Sequence, residues 1–196
     1  MLKKVVFVLL AAMMLSMIAA AQSDPGYTND VYSVGYFSDR PVTADQFVYI
    51  INSGYVGTPL SSGEGTLCAN IYVFDAVQEL VECCACPITA NALLALSVDN
   101  MLTANPLTSI APSSGVIKLV STKPDATSCD PTKAGQLSPD LKAWGTHLQQ
   151  PTSGNFVTTE APFLPAPLSA AESAFLPQAC TFAQYLGTNK AVCVCQ

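Results

Sequence analysis

Short apolar runs separated by turn-forming residues cover much of the chain after residue 30. The runs at residues 31–37, 46–51, 67–74, 79–84 and 115–121 are rich in Val, Ile, Tyr and Phe and have the length of strands. Gly, Pro, Ser, Asn and Asp lie between them, at a spacing typical of a sandwich or barrel. We therefore predict a mainly β protein, an antiparallel β-sandwich-like domain with a small C-terminal helical element.

The run at residues 67–74 is apolar on both of its faces, which predicts a central strand. A turn after it would form a hairpin with the next run, residues 79–84. Such a hairpin brings the start of the first strand close to the end of the second. We therefore predict a disulfide from Cys68 to Cys84 or Cys86.

Three later stretches have weaker patterns. Residues 91–98 are apolar but short, and residues 100–106 have the composition of a loop. Residues 123–139 are dominated by Pro, Asp, Thr, Lys and Gly, which predicts a long surface loop. We expect Cys129, which lies within that loop, to tether it to the rest of the domain.

Residues 141–148 fit two structures. Leu141, Trp144 and Leu148 would share one face of a helix. Alternatively, the turn-forming residues that follow, together with a run at residues 156–159, indicate a hairpin. We favour the hairpin.

A helical segment is predicted at residues 169–187. Ser169 and Glu172 form a capping-box pattern, in which each side chain can bond to the backbone amide of the other residue. Pro177 should kink or split the helix, and Gly187 should end it. The side chains at helical spacing that we expect to face the core are Phe175, Ala179, Phe182 and Leu186.

The N-terminus has the pattern of a secretory signal peptide. Lys3 and Lys4 precede an apolar stretch that ends in three alanines at residues 19–21. We predict that residues 1–21 are removed, which leaves a single secreted or periplasmic β-rich domain at residues 22–196. No later segment has the length and apolarity of a membrane-spanning helix.

The mature chain is strongly acidic. Loss of Lys3 and Lys4 leaves six basic residues against fourteen acidic ones, a net charge of −8. Nucleic-acid binding depends on clustered Lys and Arg that replace the counterions of the phosphates, so nucleic acid is excluded as a partner.

Eight cysteines lie in the predicted mature domain, and in an oxidising compartment this even number predicts four disulfides. Adjacent residues of an extended chain point to opposite sides, so Cys83 and Cys84 should have different partners. Cys84 and Cys86 would share one face of an extended segment, as would Cys193 and Cys195. Two neighbouring segments could therefore be cross-linked twice. The cysteines are Cys68, Cys83, Cys84, Cys86, Cys129, Cys180, Cys193 and Cys195.

The same clusters allow a second hypothesis, a thiolate site for Cu(I) or Zn(II). Its ligands would come from Cys83, Cys84, Cys86, Cys193 and Cys195. The clusters lack the paired C-x2-C spacing of zinc folds, and an oxidising compartment consumes free thiols, so disulfides are favoured and no cofactor is predicted.

His147 is the single histidine and is the candidate general base of a third hypothesis, a hydrolase. The chain has no G-x-S-x-G elbow, and nothing in the sequence pairs His147 with a nucleophile or an acid. No catalytic residue is therefore assigned, and we predict an exported, non-enzymatic structural or binding module. Aromatic residues early in the mature chain would either fill the core or bind a protein or glycan ligand; they are Tyr27, Tyr32, Tyr36, Phe37 and Tyr55.

Three segments and the final Cys-x-Cys carry a resemblance to a group of proteins. The segments are residues 70–75, 82–87 and 105–107. Together they resemble uncharacterised secreted cysteine-rich proteins of acidobacterial soil bacteria. The resemblance implies export, a shared cysteine framework and a bacterial origin, and it implies no site residue.

Overall fold

Two antiparallel β-sheets face each other in the computed structural model. The model describes residues 30–38, 45–54, 65–126, 128–149, 157–188 and 190–195. The predicted signal peptide, Tyr27 and Tyr55 lie outside these residues. The described strands are β1 (Tyr32–Ser38), β2 (Phe47–Asn52), β3 (Leu67–Asp75), β4 (Leu80–Ile88), β5 (Leu93–Ser97), β6 (Ser114–Thr122), β7 (Leu141–Gln149), β8 (Val157–Pro162) and β9 (Leu164–Pro165).

The first sheet has the strand order β4-β3-β6-β1-β9, and the second has the order β5-β2-β7-β8. The predicted mainly β, sandwich-like fold is confirmed. The β3 strand lies between β4 and β6, and its residues are buried as far as Phe74, so the prediction of a central strand is also confirmed.

The ambiguous segment around Trp144 is a strand. The β7 strand pairs antiparallel with β8, from Trp144 opposite Pro162 to Gln149 opposite Val157, as the favoured hairpin requires. The predicted loop at 100–106 is partly wrong, because a π-helical turn at Val98–Leu102 follows β5 directly. The Ser97 side chain accepts a hydrogen bond from the backbone of Asn100 and so caps this turn.

The main core fills the space between the sheets. Inward-facing residues of both sheets form it, among them Phe37, Ile50, Ile71 and Leu119. A second cluster lies on the outer side of the first sheet, where residues of the C-terminal helix pack with Tyr32 and others. Phe37 and Tyr32 therefore fill the interior, as one of the two interpretations of the early aromatic residues required.

The helix α1 spans Ala170–Gly187, and Ser169 caps it by accepting a hydrogen bond from the Glu172 amide. Glu172 forms an ion pair with Lys118 of β6 at 2.5 Å. Pro177 does not split the helix; it is buried within it, on the face that packs against the sheet. No helix among the described residues is long and apolar enough to cross a membrane.

The prediction of the face that α1 presents to the core is wrong. The buried residues are Leu176, Pro177, Cys180 and Ala183. Phe175, Phe182 and Leu186 are exposed, and Ala179 is not buried. The disulfide from Cys180 to Cys83 of β4 fixes the orientation, because it holds the side of the helix that carries Cys180 against the sheet.

The predicted bridge from Cys68 to Cys84 or Cys86 is also wrong. The β3–β4 register places Cys68 opposite Pro87, and it places Cys86 opposite Ala69. Directly opposed residues share a face and neighbours along a strand do not, so Cys68 and Cys86 point to opposite sides of the sheet. Cys68 bonds instead to Cys129, which tethers the 123–139 segment as expected.

Candidate functional site

All eight cysteines, each of which the structure describes, form disulfides. Besides Cys68–Cys129, the bridges are Cys83–Cys180, Cys84–Cys193 and Cys86–Cys195. Cys83 and Cys84 have different partners, and two neighbouring segments are joined twice, as predicted.

The sulfur atoms of Cys84, Cys86 and Cys195 lie within 4.8 Å of one another, the closest approach to a metal-binding cluster among the described residues. A metal site of the Cu(I) or Zn(II) type needs thiolates, because the thiolate is the donor that these ions bind. The five cysteines of that hypothesis all lie in bridges, so in the oxidised protein none offers a thiolate.

His147 lies near the end of β7, on the face that carries the buried Leu141 and Ala143. Its ring stacks on Tyr36 of the opposite sheet, and burial lowers the pKa of its imidazole. Its Nδ1 atom is buried without a hydrogen-bond partner among the described residues. In a catalytic triad, an acid orients the histidine through a hydrogen bond to one ring nitrogen. No described residue provides such an acid at Nδ1 of His147.

The chain passes from the second sheet to the first after β8, and this segment separates two grooves. After β8, the Phe163 amide donates to the Ala143 carbonyl at 2.8 Å, and the Ala166 amide donates to the Tyr32 carbonyl at 3.0 Å. Between these two bonds, β9 pairs with β1. Pro162, Phe163 and Pro165 form the wall that the two grooves share.

The Trp144 groove lies on one side of this wall and has a volume of about 450 Å³. It combines the indole ring with several polar side chains. These polar residues are Asp30, Ser33, Lys142 and Glu160. Lys142 Nζ lies 2.8 Å from Asp30 Oδ2, so opposite charges meet at the groove and both side chains remain about half exposed.

Trp144 has a fixed position in the groove because of its neighbours. It lies directly opposite Tyr49 of β2, and the two rings stack with 5.6 Å between centroids. Phe47 lies two residues before Tyr49, on the same strand face, with its ring 6.1 Å from that of Tyr49. An aromatic row therefore runs across the outer face of the second sheet and ends at the groove.

The His147 groove, on the other side of the wall, has a volume of about 640 Å³. Tyr36 and His147 line one part of it and Leu164 another, and none of the described residues that line it carries a full charge at neutral pH. Gly35 makes room for the wall, because a Cβ atom there would overlap the Phe163 ring. This groove is suited to apolar groups.

A buried carboxyl lies away from both grooves, in β4. The Glu82 side chain is fully buried, and its Oε1 atom accepts a hydrogen bond from the Asn105 amide at 2.6 Å. Its Oε2 atom has no hydrogen-bond partner among the described residues. Burial raises the pKa of Glu82 to about 7, so this carboxyl is partly protonated at neutral pH.

Sequence reasoning identified Tyr36 and His147 but missed the Trp144 groove as a site. The sequence pattern places Trp144 on a helix face or in a hairpin, and Asp30, Lys142 and Glu160 lie far apart along the chain. The alternating pattern in β7 was the available signal, since it places Lys142 and Trp144 on the same strand face.

Comparison of the chain with protein-family models, with curated proteins and with solved structures finds no match. The resemblance to acidobacterial secreted proteins therefore stays a prediction. The four disulfides point to a compartment outside the cytoplasm, because thiols are kept reduced within it.

Proposed function

We propose that the protein is an exported, non-enzymatic binding module that holds a neutral carbohydrate in the Trp144 groove. The observation that carries this proposal is the meeting of an indole ring with the side chains of Asp30, Lys142 and Glu160 in one groove. Binding pockets combine apolar walls with a few convergent polar groups in this way.

The chemistry of the groove matches that of a sugar ring. A pyranose has a face of C–H groups and a rim of hydroxyls, and the electron-rich face of an indole packs against such C–H groups. Carboxylates accept hydrogen bonds from the hydroxyls, whereas the Lys142 ammonium donates to them. The groove volume of about 450 Å³ suits one or two sugar rings.

The surrounding charge favours a neutral ligand. The predicted mature chain has a net charge of −8, which would repel polyanionic polysaccharides as it would nucleic acid. Export by the predicted signal peptide, into the periplasm or the medium, would bring the groove to the glycans of the cell surface and its surroundings.

The test is calorimetric titration of the disulfide-bonded protein with a panel of neutral oligosaccharides, including glucans and chitin fragments. For a sugar that binds, Trp144→Ala is expected to raise Kd at least tenfold, and Trp144→Phe should raise it less because a ring still stacks on Tyr49. Glu160→Gln tests the hydrogen bonds of the rim without a change in shape.

Glu79→Gln is the matched control, because Glu79 is an exposed acid in the turn between β3 and β4. It should leave Kd unchanged. Failure of every neutral sugar to bind at millimolar concentrations would contradict the proposal, as would unchanged affinity in a folded Trp144→Ala variant.

A second candidate, binding of Cu(I) or Zn(II), rests on the closeness of the Cys84, Cys86 and Cys195 sulfurs. It applies to the reduced protein, since only thiolates would serve as ligands. Native mass spectrometry after reduction, with each ion added alone, tests it. A stoichiometric metal adduct that is lost in a Cys84→Ala, Cys86→Ala variant would support it.

A further inference from the structure

The outer face of α1 is apolar and has no covering element among the described residues. At helical spacing, Phe175, Phe182 and Leu186 follow one another along this face, and Tyr185 flanks them. Their exposed fractions are 49% for Phe175, 63% for Phe182, 82% for Tyr185 and 52% for Leu186. The opposite face of the helix is buried against the first sheet, so α1 has two apolar faces and only one of them packs within the described part of the molecule.

We propose that this outer face, the α1 stripe, is the interface of a two-fold homodimer in which α1 packs antiparallel against α1 of a second copy. The proposal does not depend on the carbohydrate site, because no residue of α1 lines the Trp144 groove.

The area of the stripe matches what a stable dimer needs. An aromatic side chain offers about 150–250 Å², so the three aromatic side chains at their exposed fractions present on the order of 400 Å² of apolar surface, to which Leu186 adds. A standard interface buries about 800 Å² on each partner, of which roughly 60% is apolar. The stripe therefore supplies about the apolar core of one such interface, and it is as large as the biggest patches of most monomers.

The charges of the helix favour a second copy over a charged partner. Glu172 is the single charged residue of α1, and Lys118 neutralises it on the side next to the sheet. The stripe therefore carries no charge, so two acidic molecules can meet here without close repulsion between their carboxylates. The helix has no Lys or Arg that would bind anionic lipid headgroups.

The shape of the stripe suits self-association. Ala179 lies between Phe175 and Phe182 along the helix, and its small side chain leaves a gap that accommodates a ring from the second copy. A two-fold axis makes the same stripe serve both copies, as the isologous interfaces of dimers require.

Sedimentation velocity of the full disulfide-bonded protein, over a range of concentrations, tests the proposal. The wild type should sediment as a dimer at micromolar concentrations and dissociate on dilution. Phe182→Glu should weaken dimerisation at least tenfold, because it places a carboxylate on each side of the interface. Leu93→Glu is the matched control, since Leu93 is also exposed, at 58%, but lies on β5 of the second sheet; it should leave the dimer unchanged.

Far-ultraviolet circular dichroism and a count of free thiols establish that each variant is folded. A wild type that stays monomeric when its concentration is raised 100-fold above the lowest one measured would overturn the proposal. A dimer that persists in folded Phe182→Glu would place the interface elsewhere and also overturn it. A monomer that sediments with phosphatidylcholine vesicles would overturn it too, because the stripe would then contact lipid instead of a second copy.

Discussion

The imidazole ring of His147 lies parallel to the phenol ring of Tyr36, with 4.2 Å between the ring centroids and 11° between the planes. Tyr36 belongs to the first sheet and His147 to the second, so the stack joins the two sheets where the His147 groove opens. Tyr36 is 56% exposed, whereas His147 is buried. The tyrosine ring thus covers the histidine from solvent.

We predict that Tyr36→Ala raises the pKa of His147 toward its ordinary value. Burial lowers that pKa in the wild type, and loss of the covering ring lets water reach the imidazole. Since the chain has one histidine, its titration by NMR is unambiguous. Tyr49→Ala removes a tyrosine that stacks on Trp144, and it should leave the His147 pKa unchanged; an unchanged pKa in Tyr36→Ala would contradict the covering role.

The same histidine should make the protein less stable in mild acid. Its folded-state pKa is depressed, so below about pH 6.5 the unfolded chain takes up a proton that the folded protein binds less readily. The free energy of unfolding therefore falls as the pH drops from about 7 through the folded pKa. Denaturant unfolding of wild type and His147→Gln at several pH values measures this slope, which the variant should lose.

Glu82 should have the opposite effect on stability. Burial raises its pKa from 4.5 to about 7, so between these values the folded protein holds a proton that the unfolded chain has lost. The contribution of this carboxyl to the free energy of unfolding is therefore fully present below pH 4.5 and is lost as the pH rises through about 7. Glu82→Gln keeps an acceptor for the Asn105 amide and should be more stable than wild type at pH 8, by on the order of 2–3 kcal/mol.

Glu79→Gln is a suitable control for that measurement. Glu79 lies three residues earlier and is exposed, so its replacement should change the free energy of unfolding by less than about 0.5 kcal/mol at pH 8. Equal stabilities of wild type and Glu82→Gln across the whole pH range would show that the Glu82 carboxyl is not protonated on folding.

Gly35→Ala should damage both grooves together. The added Cβ would overlap the ring of Phe163, so the shared wall must shift, at a cost of about 1–3 kcal/mol. Gly145→Ala is the matched substitution, because its Cβ would meet the same ring at 3.7 Å, an ordinary contact. Thermal unfolding should show a lower Tm for Gly35→Ala alone; equal Tm values would mean that Phe163 moves without cost.

The paired bridges Cys84–Cys193 and Cys86–Cys195 should be largely redundant. With Cys83–Cys180 already formed, the Cys84–Cys193 bridge closes a further loop of about 15 residues. Closing a loop of this length adds about 3 kcal/mol to the free energy of unfolding. The second then closes a loop of only a few residues and adds much less. Replacing both cysteines of one bridge by Ala should lower the Tm slightly, and removing both bridges should lower it far more than the two single losses added together. A double loss no larger than that sum would contradict redundancy.

The strand pattern was enough to predict the sandwich because each buried face repeats every second residue along a strand. The pairing of Cys68 could not be predicted in the same way, since it depends on register. A shift of one residue between β3 and β4 would place Cys86 directly opposite Cys68, on the same face of the sheet. For α1, Cys180 and its disulfide determine which of two apolar faces packs inward, and periodicity alone does not distinguish them.

The Trp144 groove depends on three-dimensional relationships that the sequence does not carry. Glu160 and Trp144 lie near each other only through the β7–β8 register, and Lys142 of β7 meets Asp30, just before β1, only in the folded chain. The export signal is readable from local sequence, whereas such a site requires the pairing of distant segments.

The placement of the disulfides has a consequence for the order of events during biosynthesis. Cys83, Cys84 and Cys86 find their partners 97 to 109 positions later in the chain. The ribosome makes these three cysteines and Cys68 before it makes Cys129, so oxidation at that stage can pair only the wrong sulfurs. Correct maturation therefore depends either on delayed oxidation or on thiol–disulfide exchange, the reaction that disulfide isomerases catalyse.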